Sequence, residues 1–449
     1  GAYTQVGSDV LAPGGDVTVA AGSIAITEAR TTERSTSEER QKQSGLSVSL
    51  GGGMVEAALG ALQTLEAMGN TQSARMQALG AAAAALQGAG AVKATQDALA
   101  KGDSALKASG VSVNVSLGSS KSERHSEQLV DSGRGSTVRA GGDVSLVASG
   151  ADRSSSILIR GSEVSAGDVA RLQAEGAIDL LAAQDTTTQR SRSKNSSASV
   201  GVGIGLGGGG PTSVTVAASA GKGSGEGQET VHRNTRIEAG QTVQIDADGD
   251  LTMKGAVVAA PGVQVDVDGN LAIESMQDTS TWREQSRQAG GSVTFGAARG
   301  GSINASRTNI ESDFASVGEQ SGIRAGDGGF DVRVQGHTTL IGGAITSTEA
   351  AVMAGVNRFE SDGGTTLMDV HNSAAFKADS AGAQVGVGSQ ARSSGAGIGS
   401  DGGAASSTTT AAISGIAGDA GARTGDAQAG IAPIFDKERV RAEVEAQVV

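Results

Sequence analysis

The sequence has no cysteine, 4 prolines, four histidines and 2% aromatic residues in 449. The absence of cysteine removes disulfide frameworks, thiolate metal sites and cysteine nucleophiles. Scarce aromatics argue against a rounded enzyme core of this length, since such cores bury large rings and aliphatic side chains. Most of the 37% apolar share is instead alanine and valine. Collagen is excluded, because 70 glycines fall far below one residue in three and proline is nearly missing. Wholesale disorder fits poorly, since valine, isoleucine and leucine recur at two-residue spacing. No basic excess exists either: the net charge is -13. Nucleic acid is therefore not expected as a partner, because phosphate binding needs clustered lysine and arginine.

Chemistry-bearing motifs are also missing. None of His125, His232, His337 and His371 stands at metal-ligand spacing from another, and His125 and His232 read as surface or corner residues. The run Gly205–Gly210 matches G-x-G-x-x-G formally, but Pro211 and an alternating strand follow where a dinucleotide site needs a helix. Asp246, Asp248 and Asp250 suggest a calcium loop. Leu251 and Val257, however, occupy the positions that need glycine and glutamate, so the loop reads as a strand corner. No catalytic, cofactor-binding or metal residue is assigned, and a non-enzymatic chain is expected. The stretch 76–92, between Arg75 and Lys93, is too short and too weakly apolar for a membrane helix. It reads as part of a packed helical hairpin. The sequence opens at Gly1 without a basic n-region and apolar h-region, so no signal peptide is expected within it, and both ends read as cuts through something longer.

What is present is an internal repeat. A V/I-x-A-G step occurs at Val138–Gly141, Ile237–Gly240 and Ile323–Gly326, leading into alternating strands. A short strand running into a polar Ser/Thr/Gln/Arg strand begins at Gly22, Gly176, Gly269 and, diverged, Thr365. Each unit closes on a glycine-rich alternating strand, from Gly45, Ser199, Gly291 and Ala383. Ile24 to Ile178 spans 154 residues, as does Leu46 to Val200; Ile178 to Leu271 spans 93, as does Val200 to Val293. The longer first interval contains an Ala/Leu/Met/Gln segment with helical spacing.

These features predict an all-β fold: a parallel β-helix, or solenoid, with amphipathic β-hairpin excursions and an Ala-rich helical insertion near the N-terminus. The expected organisation is a partial first repeat over 1–53 and the helical insertion over 54–109. Repeats follow over 110–221, 222–300 and 301–381. A Gly/Ala/Ser-rich linker over 382–432 leads to a helical segment over 433–449, N-capped by Asp436. In the sharpest hairpin, Val200, Val202, Ile204 and Leu206 point one way, with glycine at 201, 203 and 205, and Val214 and Val216 continue the pattern. Two readings stand for these residues: hairpins packed on the solenoid, or strands that contact an outer membrane, although aromatic girdles are lacking.

Taken together, AQDTTTQRSRSKNSSASVGVGIGLG, IEAGQTVQIDADGDLTMKGAVVAAPG and FDKERVRAEVEAQVV resemble the distal haemagglutinin-repeat region of two-partner-secretion exoproteins. That group comprises filamentous haemagglutinins and contact-dependent growth inhibition exoproteins. The resemblance implies a bacterial surface protein exported through an outer-membrane transporter partner, and held in the periplasm before target contact in the toxin-carrying members. It also implies contact with a target-cell outer membrane and a C-terminal toxin domain, with the helix after Asp436 resembling the start of a pretoxin segment. A structural or adhesive stalk is the alternative.

Overall fold

In short alternating segments the inward positions carry isoleucine, leucine and valine, and successive segments stack parallel, each burying its aliphatics on the coil before it. The chain is seen in a computed structural model that describes residues 1–51, 112–205, 211–296, 299–388, 392–414 and 430–447. The 54–109 insertion expected to be helical and Leu206 lie outside the described residues.

One wall of the solenoid is a sheet of eight parallel strands: Ala2–Val6, Ser23–Thr27, Ile157–Arg160, Ile178–Leu181, Leu251–Lys254, Leu271–Glu274, Thr338–Ile341 and Thr365–Met368. Its inner side carries in-register ladders. Ile24, Ile157, Ile178, Leu251 and Leu271 form one, and Ile26, Ile159, Leu180, Met253, Ile273 and Leu340 the next. All are buried. The other two walls belong to one 13-stranded sheet. They are joined where Ala256–Val267 and Gly322–Val334 run continuously through both. Buried serine and threonine hydroxyls carry the backbone past the corners: Ser136 donates to Thr27 O at 2.8 Å, Thr235 to Leu181 O at 2.6 Å and Ser275 to Gly342 O at 2.6 Å.

At the corner after the eight-stranded wall the chain does one of two things, in strict alternation. After the first, third, fifth and seventh strands it turns on Gly7, Gly161, Gly255 or Gly342, each with φ between 52° and 65°. After the second, fourth, sixth and eighth it leaves the solenoid as a hairpin. At Gly161 the left-handed backbone and the neighbouring hairpin root both demand glycine, because a Cβ there would overlap that of Ala183.

The four hairpins are Ala29–Gly51 with Ser112–Arg134, Ala183–Gly205 with Pro211–Arg233, Gln277–Gly296 with Gly300–Val317, and Val370–Gly388 with Arg392–Thr409. They pair edge to edge into one eight-stranded antiparallel sheet. Strand spacing explains why. Two coils advance about 9.5 Å along the solenoid, and the two strands of one hairpin occupy the same width. One hairpin for every two coils therefore closes the second sheet without a gap, and that is the physical content of the repeat.

Two expectations are corrected here. The boundaries at 221/222 and 300/301 cut through hairpin strands; the structural unit is two coils plus a hairpin. The expected linker over 382–432 is strand over Gly382–Gly388 and 392–409, with Ala412–Ile413 returning to the solenoid. Its small residues serve packing. A Cβ on Gly403 would meet the Phe376 ring at 2.8 Å, and one on Gly399 would meet Val444 O at 2.6 Å.

The root of the first hairpin holds a buried charge. Glu28 accepts from Arg160 Nε at 2.9 Å and Arg30 Nη1 at 3.5 Å. Burial alone pushes its carboxyl up, but Arg160, a backbone hydrogen bond and Arg30 together outweigh burial and hold it below the ordinary 4.5. A depressed folded pKa gives stability above the unfolded pKa that is lost as pH falls through the folded one. Acid melts should therefore show a loss below pH 4.5 that is absent in Glu28→Gln, and equal acid limbs in both proteins would refute this role.

Candidate functional site

Register decides which side chains share a face of the hairpin sheet. Val200 pairs with Val216 and Leu117, Val202 with Val214 and Val115. Val216 pairs in turn with Val293, and Val214 with Phe295. Leu117 and Val115 pair with Leu46 and Val48 on the outer strand. Across the other half, Ile303 stands opposite Gly291 and Val385. Directly opposed residues project to the same side, so all these side chains occupy one face, toward the hairpin tips. They stay open to solvent: Val200 is 52%, Phe295 60% and Ile303 71% exposed. Ile398, at 80%, belongs to the same face through Ala381 and Arg307.

The structure thus gathers Val200, Val202, Ile204, Val214 and Val216 on one face, as expected from alternation. It also joins them to equivalent residues from the other three hairpins, which single-hairpin reasoning missed. The signal was available in the repeated glycine-rich strands from Gly45, Gly291 and Ala383. The opposite face at the same level is small and polar. Ser47 meets Ser116 at 2.7 Å, Ser292 meets Ser302 at 2.7 Å and Thr215 meets Thr294 at 2.9 Å. The result is an amphipathic sheet, with exposed apolar side chains from all four hairpins on one side and small polar ones on the other.

Nearer the solenoid, and on that opposite face, the C-terminal segment docks. Helix α2 (Lys437–Ala446; α1 is the short helix Glu349–Ala354) starts at Asp436, whose side chain accepts from Arg439 N at 2.9 Å. Val440 and Val444 are fully buried against Ile310 and Ala378, with Trp282, Phe376 and Phe435 around them. Arg441 grips both carboxylate oxygens of Glu284 at 2.6 Å. Lys437 lies 4.5 Å above the Trp282 ring. Three of the eight aromatic residues converge here. This contact was not visible in the sequence, where the helix read only as the start of a further segment.

Among the described residues no group of three or more His, Cys, Asp or Glu has metal-holding geometry. The Asp250 carboxylate instead accepts from Asn270 N at 2.7 Å, as a corner bond. Burial pushes the Asp246 carboxyl up first and Asp248, Asp266 and Asp268 push it further, against a smaller opposing pull from Arg171. Of the two positions expected for His232, surface or corner, it takes the corner: its side chain is 12% exposed at the root of the second hairpin, Nδ1 3.5 Å from Asp278. No helix among the described residues is long and apolar enough to cross a membrane, which says nothing about strands.

The haemagglutinin repeat family matches residues 115–291, from the first hairpin through the third. A tRNA nuclease CdiA of Escherichia coli (strain NC101) is 36% identical over 388 residues, covering 84% of this chain and 11% of that protein. The 16S rRNA endonuclease CdiA of Enterobacter cloacae is 36% identical over 461 residues, or 96% of this chain and 14% of that protein. The deoxyribonuclease CdiA of Yersinia pseudotuberculosis is 34% identical over 465 residues, 97% of this chain and 42% of that protein. The chain thus spans between 11% and 42% of the length of these relatives. No solved structure matches. Solenoid, hairpins and these likenesses agree, and the chain is a haemagglutinin-repeat region of the kind carried by filamentous haemagglutinin-type and contact-dependent growth inhibition exoproteins.

Proposed function

We propose that this chain is the part of a secreted, surface-exposed bacterial exoprotein that meets a target-cell outer membrane and helps a C-terminal toxin domain cross it. Export through an outer-membrane transporter partner belongs to the same reading. The observation that carries it is the solvent-open apolar face running across all four hairpins. A stalk or adhesive spacer has no use for such a face, which in water promotes aggregation. The region itself is proposed to be non-enzymatic. Relatives named for three different nuclease activities match this chain almost equally, which supports a shared region that does not itself set the differing chemistry.

The geometry favours a sheet seated at the membrane interface over one that spans. From Ala198 to Ile204 the apolar face runs about 20 Å, against a hydrocarbon core of about 30 Å. The reverse face is polar at the same level, which lipid does not tolerate unless it is covered. Flotation of the 449-residue chain with outer-membrane lipid vesicles tests the reading. Wild type is expected to float and to gain protease protection at the hairpin tips. Val200→Asp/Val293→Asp is expected to lose most of that binding with an unchanged melting temperature, since both sites are exposed and stand two strands apart rather than opposite one another. Wild-type protein that neither floats nor gains protection would remove the proposal.

A further inference from the structure

The register of the hairpin sheet brings together four cations that the sequence scatters. Lys194 is directly opposite Lys222, Lys222 opposite Arg287, and Arg287 opposite Arg307. They form one row across four adjacent strands, on the face that carries the apolar side chains. Like charges in direct opposition are destabilising, so the row costs stability and calls for a reason.

The same face shows what the sheet does where charges only need to be compatible. Two rows nearer the solenoid, Glu127, Arg190, Glu226, Arg283, Glu311 and Lys377 stand opposite one another in strict alternation of sign. In the cationic row the alternation fails. Its outer neighbour Glu123 is already held by Lys121 at 2.7 Å, and Arg307 donates only to the neutral Asn309 at 3.3 Å. Among the described residues none of the four forms an ion pair. Lys121, Lys194, Lys222 and Arg287, with Ala220 and the Lys121-paired Glu123, line an open depression of about 530 Å³.

Position identifies the occupant. Toward the tips the next row runs from Lys121 through Ser196, Ala220, Ala289, Ala305 and Ala383, and the last five are small residues that keep the cationic row clear. The valines, isoleucine and phenylalanine of the apolar face follow. A band of long basic side chains bordering an apolar surface is the arrangement that meets lipid phosphates while the apolar part meets acyl chains. We propose that Lys194, Lys222, Arg287 and Arg307 form a phosphate-binding belt for an anionic lipid surface. The inference rests on the membrane reading above and deepens it by naming the lipid class. Because the whole chain carries -13, bulk charge would repel such a surface; an anionic preference has to come from a local array.

The test compares binding of the full chain to vesicles of phosphatidylcholine alone and of phosphatidylcholine mixed with phosphatidylglycerol. Wild type is expected to prefer the anionic vesicles, with a preference that shrinks as salt rises. Lys222→Gln/Arg287→Gln is expected to lose about fivefold in anionic-vesicle affinity for each charge removed, roughly thirtyfold together. Its binding to the neutral vesicles stays as in wild type. Equal wild-type affinity for both vesicles, or a preference indifferent to salt, overturns the belt while leaving the membrane reading intact. Retention of the preference in the double variant also overturns it. If wild type binds neither vesicle and sediments as a dimer, the apolar face is an interface between copies and both proposals fall. The variant removes no described ion pair, so its melting temperature should equal or exceed that of wild type; should it not fold, the wild-type salt titration decides alone.

Discussion

Replacing Ile178 by alanine is expected to cost about 2–5 kcal/mol, the range for deleting a fully buried aliphatic side chain. Ile178 is 0% exposed and sits in register between Ile157 on the preceding coil and Leu251 on the next. Both flanking strands are pinned by their own backbone ladders, so the cavity cannot close by local collapse. The solenoid is quasi-one-dimensional, each coil touching only its neighbours, and a weakened central coil divides the stack. The thermal transition of Ile178→Ala should therefore move down and broaden toward two steps. Arg171→Ala, on the outer side of the adjacent wall, should move it by less than about 0.5 kcal/mol. A loss under about 1 kcal/mol at Ile178 would show that the ladder does not bear the fold as the burial implies.

That ladder was legible in the sequence, because period-two alternation names the inward residues and the 93-residue spacing of Ile178 and Leu271 names their equivalents. The hairpins were legible for the same reason. Their union into one sheet was not, since periodicity records which way a side chain points and not which strand lies beside it. Partnership here follows from a match of widths, two coils to one hairpin, that is a property of backbone spacing. The cationic row shows the consequence: Lys194, Lys222, Arg287 and Arg307 share no motif, and only the register aligns them. Composition misled at 382–409, where glycine, alanine and serine suggested a linker. In this fold small residues are strand residues, used where Phe376 and helix α2 press on the sheet. Trp282 and Phe376 gave no warning of the docked helix, because each stands alone in a polar strand.

Replacing Glu284 by glutamine is expected to release that helix without unfolding the rest. Glu284 accepts two hydrogen bonds from Arg441 Nη2, and charge-assisted bonds of this kind are worth about 1.5–3 kcal/mol. The Arg441 side chain is 32% exposed, so the lower part of the range applies. Loss of about 2 kcal/mol corresponds to roughly a thirtyfold rise in the population of the undocked segment. Helix α2 has ten residues, too short to persist alone, so undocking also melts it. Limited proteolysis should then cut within 430–447 about thirtyfold faster in Glu284→Gln, while the melting of the solenoid stays unchanged. Arg441→Gln should give a similar acceleration, and the double variant should be no faster than the singles if the pair is the latch. Equal cleavage rates in all four proteins would place the hold elsewhere, on Val440 and Val444 against Ile310 and Ala378. On the proposed reading the latch has a consequence for delivery. The helix that precedes any downstream toxin is fastened to the face of the sheet opposite the apolar one, so contact with a membrane on the apolar side leaves this segment on the solvent side, free to be unlatched.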